Sequence, residues 1–154
     1  MRKRIDIRSS IMSVNIRVEQ MINAPPDEVW NDIADLGSHT EWMADAETIT
    51  FLTDQTSGAG TAMEVLTKVG PLSTKDVMTF TVWDPPHRMA IDHRGLVTGS
   101  GEFRLEQAGS QTRFVWEEEL VFPLRLGGQL GALIGKPVLE AIWRRNLKKL
   151  AARF

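Results

Sequence analysis

The stretch TKDVMTFTVWDPPHRMAIDHR, residues 74–94, decides the fold of this 154-residue chain. It contains two β-rich segments, near 74–83 and 87–94, on either side of the turn sequence Asp84-Pro85-Pro86. Three similar segments surround it, near 61–69, 97–107 and 111–122, with no helical pattern between any of the five. Because a parallel crossover needs roughly a dozen residues or more, connections this short predict an antiparallel meander.

The segments on both sides of the meander complete the predicted fold. Before it, Val14, Ile16 and Val18 alternate with polar residues as in a half-buried strand, and a short amphipathic helix and another strand follow. After it, an apolar stripe from about Gln129 to Leu150 predicts one long helix, which Pro137 should kink or restart. The fold class is therefore α+β: a seven-stranded antiparallel sheet with short helices after the first strand and a long C-terminal helix.

Composition argues against several kinds of function. With 18 basic and 20 acidic residues the formal net charge is −2, so we expect no nucleic-acid partner. The chain has no cysteine, which excludes disulfides and thiolate ligands. His87 and His93, on one extended strand, would lie about 20 Å apart. We therefore expect neither a metal nor another cofactor.

The distribution of apolar residues predicts location and domain organisation. The longest nearly apolar run, residues 126–135, is far shorter than the roughly 20 residues that cross a bilayer, so no stable membrane insertion is expected. The basic start lacks the apolar stretch of a signal peptide, which favours a cytoplasmic protein. We predict that residues 1–12 form a flexible tail and that residues 13–154 form one domain.

The sheet is too wide for a single helix to cover. A helix with its side chains is about 10–12 Å across, whereas seven strands at about 4.8 Å spacing span roughly 30 Å. The sheet must therefore curl around the helix, and space that side chains do not fill becomes a cavity. Alternation places one set of residues on the inner face: Met63, Val65, Met78, Phe80, Val82, Met89, Ile91, His93, Phe103, Phe114, Trp116 and Glu118.

Most of these inner residues could simply fill the core, and the polar exceptions are the more informative ones. Glu118 lies between Trp116 and Leu120, and His93 ends the series begun by Met89 and Ile91. A buried carboxylate is costly unless it is paired. Each polar side chain therefore either reaches water at a strand end or lines a pocket and orients a ligand. The same two alternatives apply to Asp76 and Asn146, which are also polar residues in apolar patterns.

Short motifs in a fixed order resemble those of a known superfamily: Ala24-Pro25-Pro26-Asp27-Glu28-Val29-Trp30, Glu41-Trp42-Met43, Gly58-Ala59-Gly60-Thr61, Val82-Trp83-Asp84-Pro85-Pro86, Gly101-Glu102-Phe103 and Thr112-Arg113-Phe114. They resemble the SRPBCC (START-like, helix-grip) superfamily in its polyketide cyclase/dehydrase and lipid-transport branch. The resemblance implies a curved seven-stranded sheet wrapped around the C-terminal helix, with an apolar cavity between them. It also implies a lipid, polyketide, quinone or hormone as ligand. Aromatase/cyclase members commonly use a pocket tyrosine, and this chain has none, which favours binding over catalysis.

The expected function is binding or carriage of a small hydrophobic ligand. Glu118 and His93 would orient the ligand, and Trp42 with residues 127–135 would guard the mouth. The alternative is a polyketide cyclase/dehydrase-like enzyme, with His93 or Glu118 as general base and acid. A third possibility is a protein-interaction module. The predicted ligand contacts are Trp42, Met63, Val65, Met78, Phe80, Met89, Ile91, His93, Phe103, Phe114, Trp116, Glu118, Ile134, Val138 and Ile142.

Overall fold

The computed structural model describes residues 13–154, so the predicted tail, residues 1–12, lies outside the described residues. The strands are β1 (Val14–Ile22), β2 (Ala46–Phe51), β3 (Ala62–Val69), β4 (Leu72–Asp84), β5 (Arg88–Arg94), β6 (Thr98–Ala108) and β7 (Gln111–Val121). The helices are α1 (Pro26–Ile33), α2 (His39–Trp42) and α3 (Gly128–Ala151), with 3-10 turns at Leu36–Ser38 and Leu124–Leu126.

All seven strands form one antiparallel sheet in the order β1-β7-β6-β5-β4-β3-β2. The sheet follows the chain from β2 to β7, because short turns join successive strands from β3 onward. β1 closes the order by pairing with β7, and α1 and α2 carry the chain across from β1 to β2. The predicted α+β helix-grip fold is confirmed.

Helix α3 packs most closely on β1, at one edge of the sheet. Its C-terminal half is fixed there by buried residues, among them Trp143, Leu147 and Leu150. Beyond the helix end, the Arg153 guanidinium donates hydrogen bonds to the carboxylates of Asp32 and Glu41, at 2.7 Å each for the shortest contacts. The helix runs unbroken through Pro137, so of the two predicted alternatives, a kink or a new start at that residue, the new start is wrong.

The predicted inner faces agree with the strand pairing except at one place. The register between β4 and β5 shifts between Phe80 and Val82, which marks a β-bulge. Beyond the bulge, the extra residue reverses which side chains of β4 face the core and which face outward. Trp83, rather than the predicted Val82, therefore packs against the core, with its ring 5.4 Å from those of Phe80 and Trp30.

Candidate functional site

A cavity of about 300 Å³ lies between the concave face of the sheet and α3. This volume is at the lower end of the range for small-molecule sites and many times the roughly 10–15 Å³ that a water needs. Strands β2 to β7, α2 and one side of α3 all contribute to the wall. Twelve of the predicted ligand contacts line it: Met63, Val65, Met78, Phe80, Met89, Ile91, His93, Phe103, Trp116, Glu118, Ile134 and Val138.

The other three predicted contacts lie outside the lining. Trp42 is only 1% exposed, packed among aromatic rings that include Phe103 and Trp116, so it does not guard the mouth. Phe114 is fully buried against Phe103. Ile142 of α3 is half-buried and packs against the core rather than lining the cavity.

Several lining residues were not among the predicted contacts. Trp143 is stacked on Trp116, with ring centroids 4.6 Å apart and planes 12° from parallel. This pair forms an aromatic wall where α3 meets β7. The other apolar lining residues outside the predicted contacts are Met43, Ala46, Ile49, Val69, Leu72, Val97, Leu120, Phe122, Leu126 and Leu139.

Strand register brings the two predicted polar residues together. On β5, Ile91 is opposite Gly101 of β6, and Gly101 is opposite Glu118 of β7. A Cβ atom at Gly101 would lie 2.9 Å from Cγ of Glu118. The glycine therefore provides the space through which the Glu118 side chain reaches across β6 towards β5. The next inward residue of β5 is His93.

His93 and Glu118 form a buried pair on the cavity wall. His93 Nε2 is 3.0 Å from Glu118 Oε2, and both side chains are less than a tenth exposed. The ring N–H is not aligned with this oxygen, so the contact is an ion pair with poor hydrogen-bond geometry. Glu118 is oriented from its other side by the indole of Trp116, whose Nε1 donates to Oε1 at 2.8 Å.

The electrostatic environment favours the protonated form of His93. Burial lowers the pKa of the imidazole, but the nearby carboxylates of Glu118, Asp76 and Asp92 outweigh it. The pKa of His93 is therefore raised above its ordinary value. The result is a buried imidazole whose protonated form is favoured by the carboxylate beside it on the cavity wall.

Asp76 is a second buried carboxylate on the wall, held by neutral donors. Its Oδ1 accepts from the backbone N–H of Leu96 and its Oδ2 from the Thr74 hydroxyl, both at 3.0 Å. A Cβ at Gly95 would lie 1.9 Å from Oδ1. Gly95 therefore makes room for Asp76 as Gly101 does for Glu118, and in both cases the glycine is the sequence signal of a buried carboxylate.

A third carboxylate, Asp45, anchors α3 where the chain enters β2. The Asn146 amide donates to Asp45 Oδ1 at 2.7 Å, and the oxygen of that amide accepts from the backbone N–H of Ala44 at 3.0 Å. The Trp143 indole makes a longer bond of 3.4 Å to Asp45. Burial raises the pKa of Asp45 against these hydrogen bonds, which lower it. Asn146, which interrupts the apolar stripe of α3, is thus a structural residue.

His39 lies on the wall at the start of α2. Its Nε2 is 2.7 Å from the backbone oxygen of Ile33, at the end of α1, and its ring packs on Trp42 and Phe103. Burial lowers the pKa of His39, so the ring is neutral near pH 7 and donates its Nε2 proton to that oxygen. Sequence analysis did not place this residue at the cavity.

The N-terminal half of α3 forms an apolar rim. Ile134 and Val138 line the cavity yet are 65% and 47% exposed, and Leu130 and Leu133 next to them are more exposed still.

Within residues 13–154, no helix is long and apolar enough to cross a bilayer. Nor does this part of the chain bring three or more His, Asp or Glu side chains together as metal ligands.

A curved antiparallel sheet, a long helix across its concave face and an apolar cavity between them define a helix-grip protein. The chain belongs to the family described as polyketide cyclase / dehydrase and lipid transport, whose family model matches residues 13–154. A comparison with curated proteins gives no match.

Solved structures show the same fold at low sequence identity. The protein TTHA0849 of Thermus thermophilus is 21% identical, with a TM-score of 0.76 over 91% of this chain and 96% of that one. The Zhui aromatase/cyclase of a Streptomyces species is 19% identical, with a TM-score of 0.71 over 92% and 93%. A START superfamily protein of Mycobacterium smegmatis is 11% identical, with a TM-score of 0.72 over 90% and 95%.

Proposed function

We propose that this protein binds and carries a small hydrophobic molecule in the cavity between its sheet and α3. The observation that carries the proposal is an apolar cavity of about 300 Å³ whose wall contains a buried imidazole nitrogen that is close to Glu118 but has no well-aligned hydrogen-bond acceptor. Buried polar groups in folded proteins are nearly always paired. A ligand oxygen at this position would satisfy His93 and occupy the space beside it.

The two kinds of lining residue would contribute differently to binding. Apolar burial supplies most of the affinity, at roughly 25 cal/mol for each Å² removed from water. Three methionines, Met63, Met78 and Met89, line the cavity from three successive strands. Their flexible side chains adapt to varied ligand shapes. His93 and Glu118 then fix the orientation of the ligand.

The test is uptake of N-phenyl-1-naphthylamine, an uncharged dye whose fluorescence rises in apolar surroundings. The variants Val138→Trp and Leu133→Trp place the same indole on α3, but only Val138 lines the cavity. We expect one dye per chain for the natural protein, binding at least about tenfold weaker for Val138→Trp, and affinity within about twofold for Leu133→Trp. Equal binding by the natural protein and Val138→Trp would place the dye elsewhere and overturn the proposal.

Native mass spectrometry of protein purified from its own host would identify the physiological ligand. A molecule retained in the cavity adds its mass to the folded chain under gentle conditions and is released on unfolding. Retention by Leu133→Trp and loss in Val138→Trp would assign that molecule to the cavity.

A second candidate function is a cyclase/dehydrase-like reaction, favoured by the position of His93 beside Glu118 on one wall. One group would remove a proton from a carbon next to a ligand carbonyl, and the other would protonate a departing hydroxyl. The products would be a carbon–carbon double bond and water. Unchanged turnover of a β-hydroxyketone in both His93→Gln and Glu118→Gln would exclude this reaction, with Asp84→Asn as the exposed control.

A further inference from the structure

The charged groups of the cavity wall are almost all of one sign. Its ionisable side chains are His39, Asp45, Asp76, His93, Glu102 and Glu118, with no lysine or arginine among the described lining residues. Glu102 is neutralised from outside the cavity by Arg88 and Arg104.

Three carboxylates remain, and His93 is paired with one of them. Asp45 and Asp76 accept hydrogen bonds from uncharged donors only, and His93 pairs with Glu118 alone. Since three carboxylates outnumber one imidazole, the wall carries net negative charge whether or not His93 is protonated.

The hydrogen-bonding capacity of the wall is equally one-sided. Each carboxylate oxygen can accept two hydrogen bonds, and each oxygen of Asp76 accepts one within the chain. Acceptors are therefore in excess, while the His93 N–H, 3.0 Å from Glu118 but not aligned with it, is a donor without a well-aligned acceptor. A hydroxyl group meets both needs, because it accepts from His93 and donates to a carboxylate.

From this balance, and resting on the proposed ligand-binding function, we propose that the cavity selects apolar molecules whose polar group is a hydroxyl or an amine and rejects those that carry a carboxylate. An anionic head group would lose its hydration in an apolar cavity whose wall is already negative. A hydroxyl or amine would meet acceptors that have unused lone pairs. The ligand class is therefore an apolar alcohol, phenol or amine rather than a fatty acid.

The experiment compares three ligands with the same chain: decan-1-ol, decylamine and decanoate. Each displaces N-phenyl-1-naphthylamine from the natural full-length protein at pH 7.5, below the concentration at which it forms micelles. We expect decanol and decylamine to bind at least about tenfold more tightly than decanoate. Decanoate binding as tightly as decanol would overturn the selectivity alone. Displacement by none of the three would overturn the proposed function together with the selectivity.

Variants test whether the carboxylates of the cavity wall cause the selectivity against decanoate. Asp76→Asn keeps the size of the side chain and removes one negative charge, and we expect it to strengthen decanoate binding several-fold with little change for decanol. Asp84→Asn, at an exposed position of the same strand outside the cavity lining, is the matched control and should leave the ratio unchanged. If Asp76→Asn does not fold, Asp45→Asn makes the same test at another part of the wall. An unchanged decanoate-to-decanol ratio in a folded Asp76→Asn or Asp45→Asn protein would contradict the electrostatic origin.

Discussion

The two halves of α3 are parts of one continuous helix with opposite environments. In residues 140–151, Trp143, Asn146, Leu147 and Leu150 are buried against β1 and the short helices. In residues 128–139, Leu130, Leu133, Ile134 and Val138 are exposed or line the cavity. We call these the packed half and the open half.

The comparison shows that apolar residues on one helix can serve stability or a cavity, according to what lies opposite them. Helix α3 packs on β1 and α2, and the large side chains of its packed half are buried there. Those of the open half face the cavity or solvent. The fold therefore concentrates its stability at one end of the helix and leaves the other end available for a ligand.

The largest expected effect is a difference in the free energy of unfolding between two leucine-to-alanine variants, one in each half of α3. Leu147→Ala removes a fully buried side chain and should reduce the free energy of unfolding by about 3 kcal/mol. Leu133→Ala removes a side chain that is 73% exposed and should change it by no more than about 0.5 kcal/mol. Urea denaturation of both variants measures the difference. A similar loss in both would mean that the open half is packed in solution.

The hydrogen bonds of Asn146 give the next largest effect. Asn146→Ala leaves the buried Asp45 carboxylate without its 2.7 Å donor and should cost about 2 kcal/mol. Gln129→Ala, an exposed amide in the open half, is the control and should be nearly neutral. In a double-mutant cycle with Asp45→Ala, the two losses should be less than additive, because both remove the same bond. Full additivity would show that the pair contributes no coupling.

The contrast between the halves also shows what could be predicted from the sequence. The fold and most of the inner face followed from alternation, because short turns allow only one pairing order for β3 to β7. The Val82 assignment failed because a bulge adds one residue without changing the composition of the strand. The stripe of α3 runs continuously to Leu150, and nothing along it indicates where the surrounding elements stop.

The residues of the candidate site also fall into two groups: those that the sequence indicated and those that it did not. Glu118 and His93 could be singled out because each is polar on an apolar face, and their register follows from neighbouring strands. The Asp45–Asn146 contact joins residues 101 positions apart, through a loop whose path has no periodicity. Trp42 was misplaced for a related reason: a tryptophan in a four-residue helix has no pattern that separates the rim from the core.

The smallest expected effect is on the pH dependence of stability, where His39 and His93 should act in opposite directions. The pKa of His39 is lowered by burial, so the stability it preserves at neutral pH is lost as pH falls below the unfolded value of about 6.5. The pKa of His93 is raised, against its burial, by Glu118, Asp76 and Asp92. Its contribution is therefore complete below about 6.5 and is lost as pH rises through its folded pKa.

Urea denaturation from pH 5 to 9 separates the two histidines. His39→Gln retains a donor for the Ile33 oxygen and should flatten the acid side of the stability profile. His93→Gln should flatten the alkaline side and leave the acid side unchanged, since its titration is confined to higher pH. If His93→Gln alters only the acid side, His93 is neutral in the folded protein at pH 7. An ionised Glu118 would then lack a partner cation, and the cavity would carry one more negative charge than with His93 protonated.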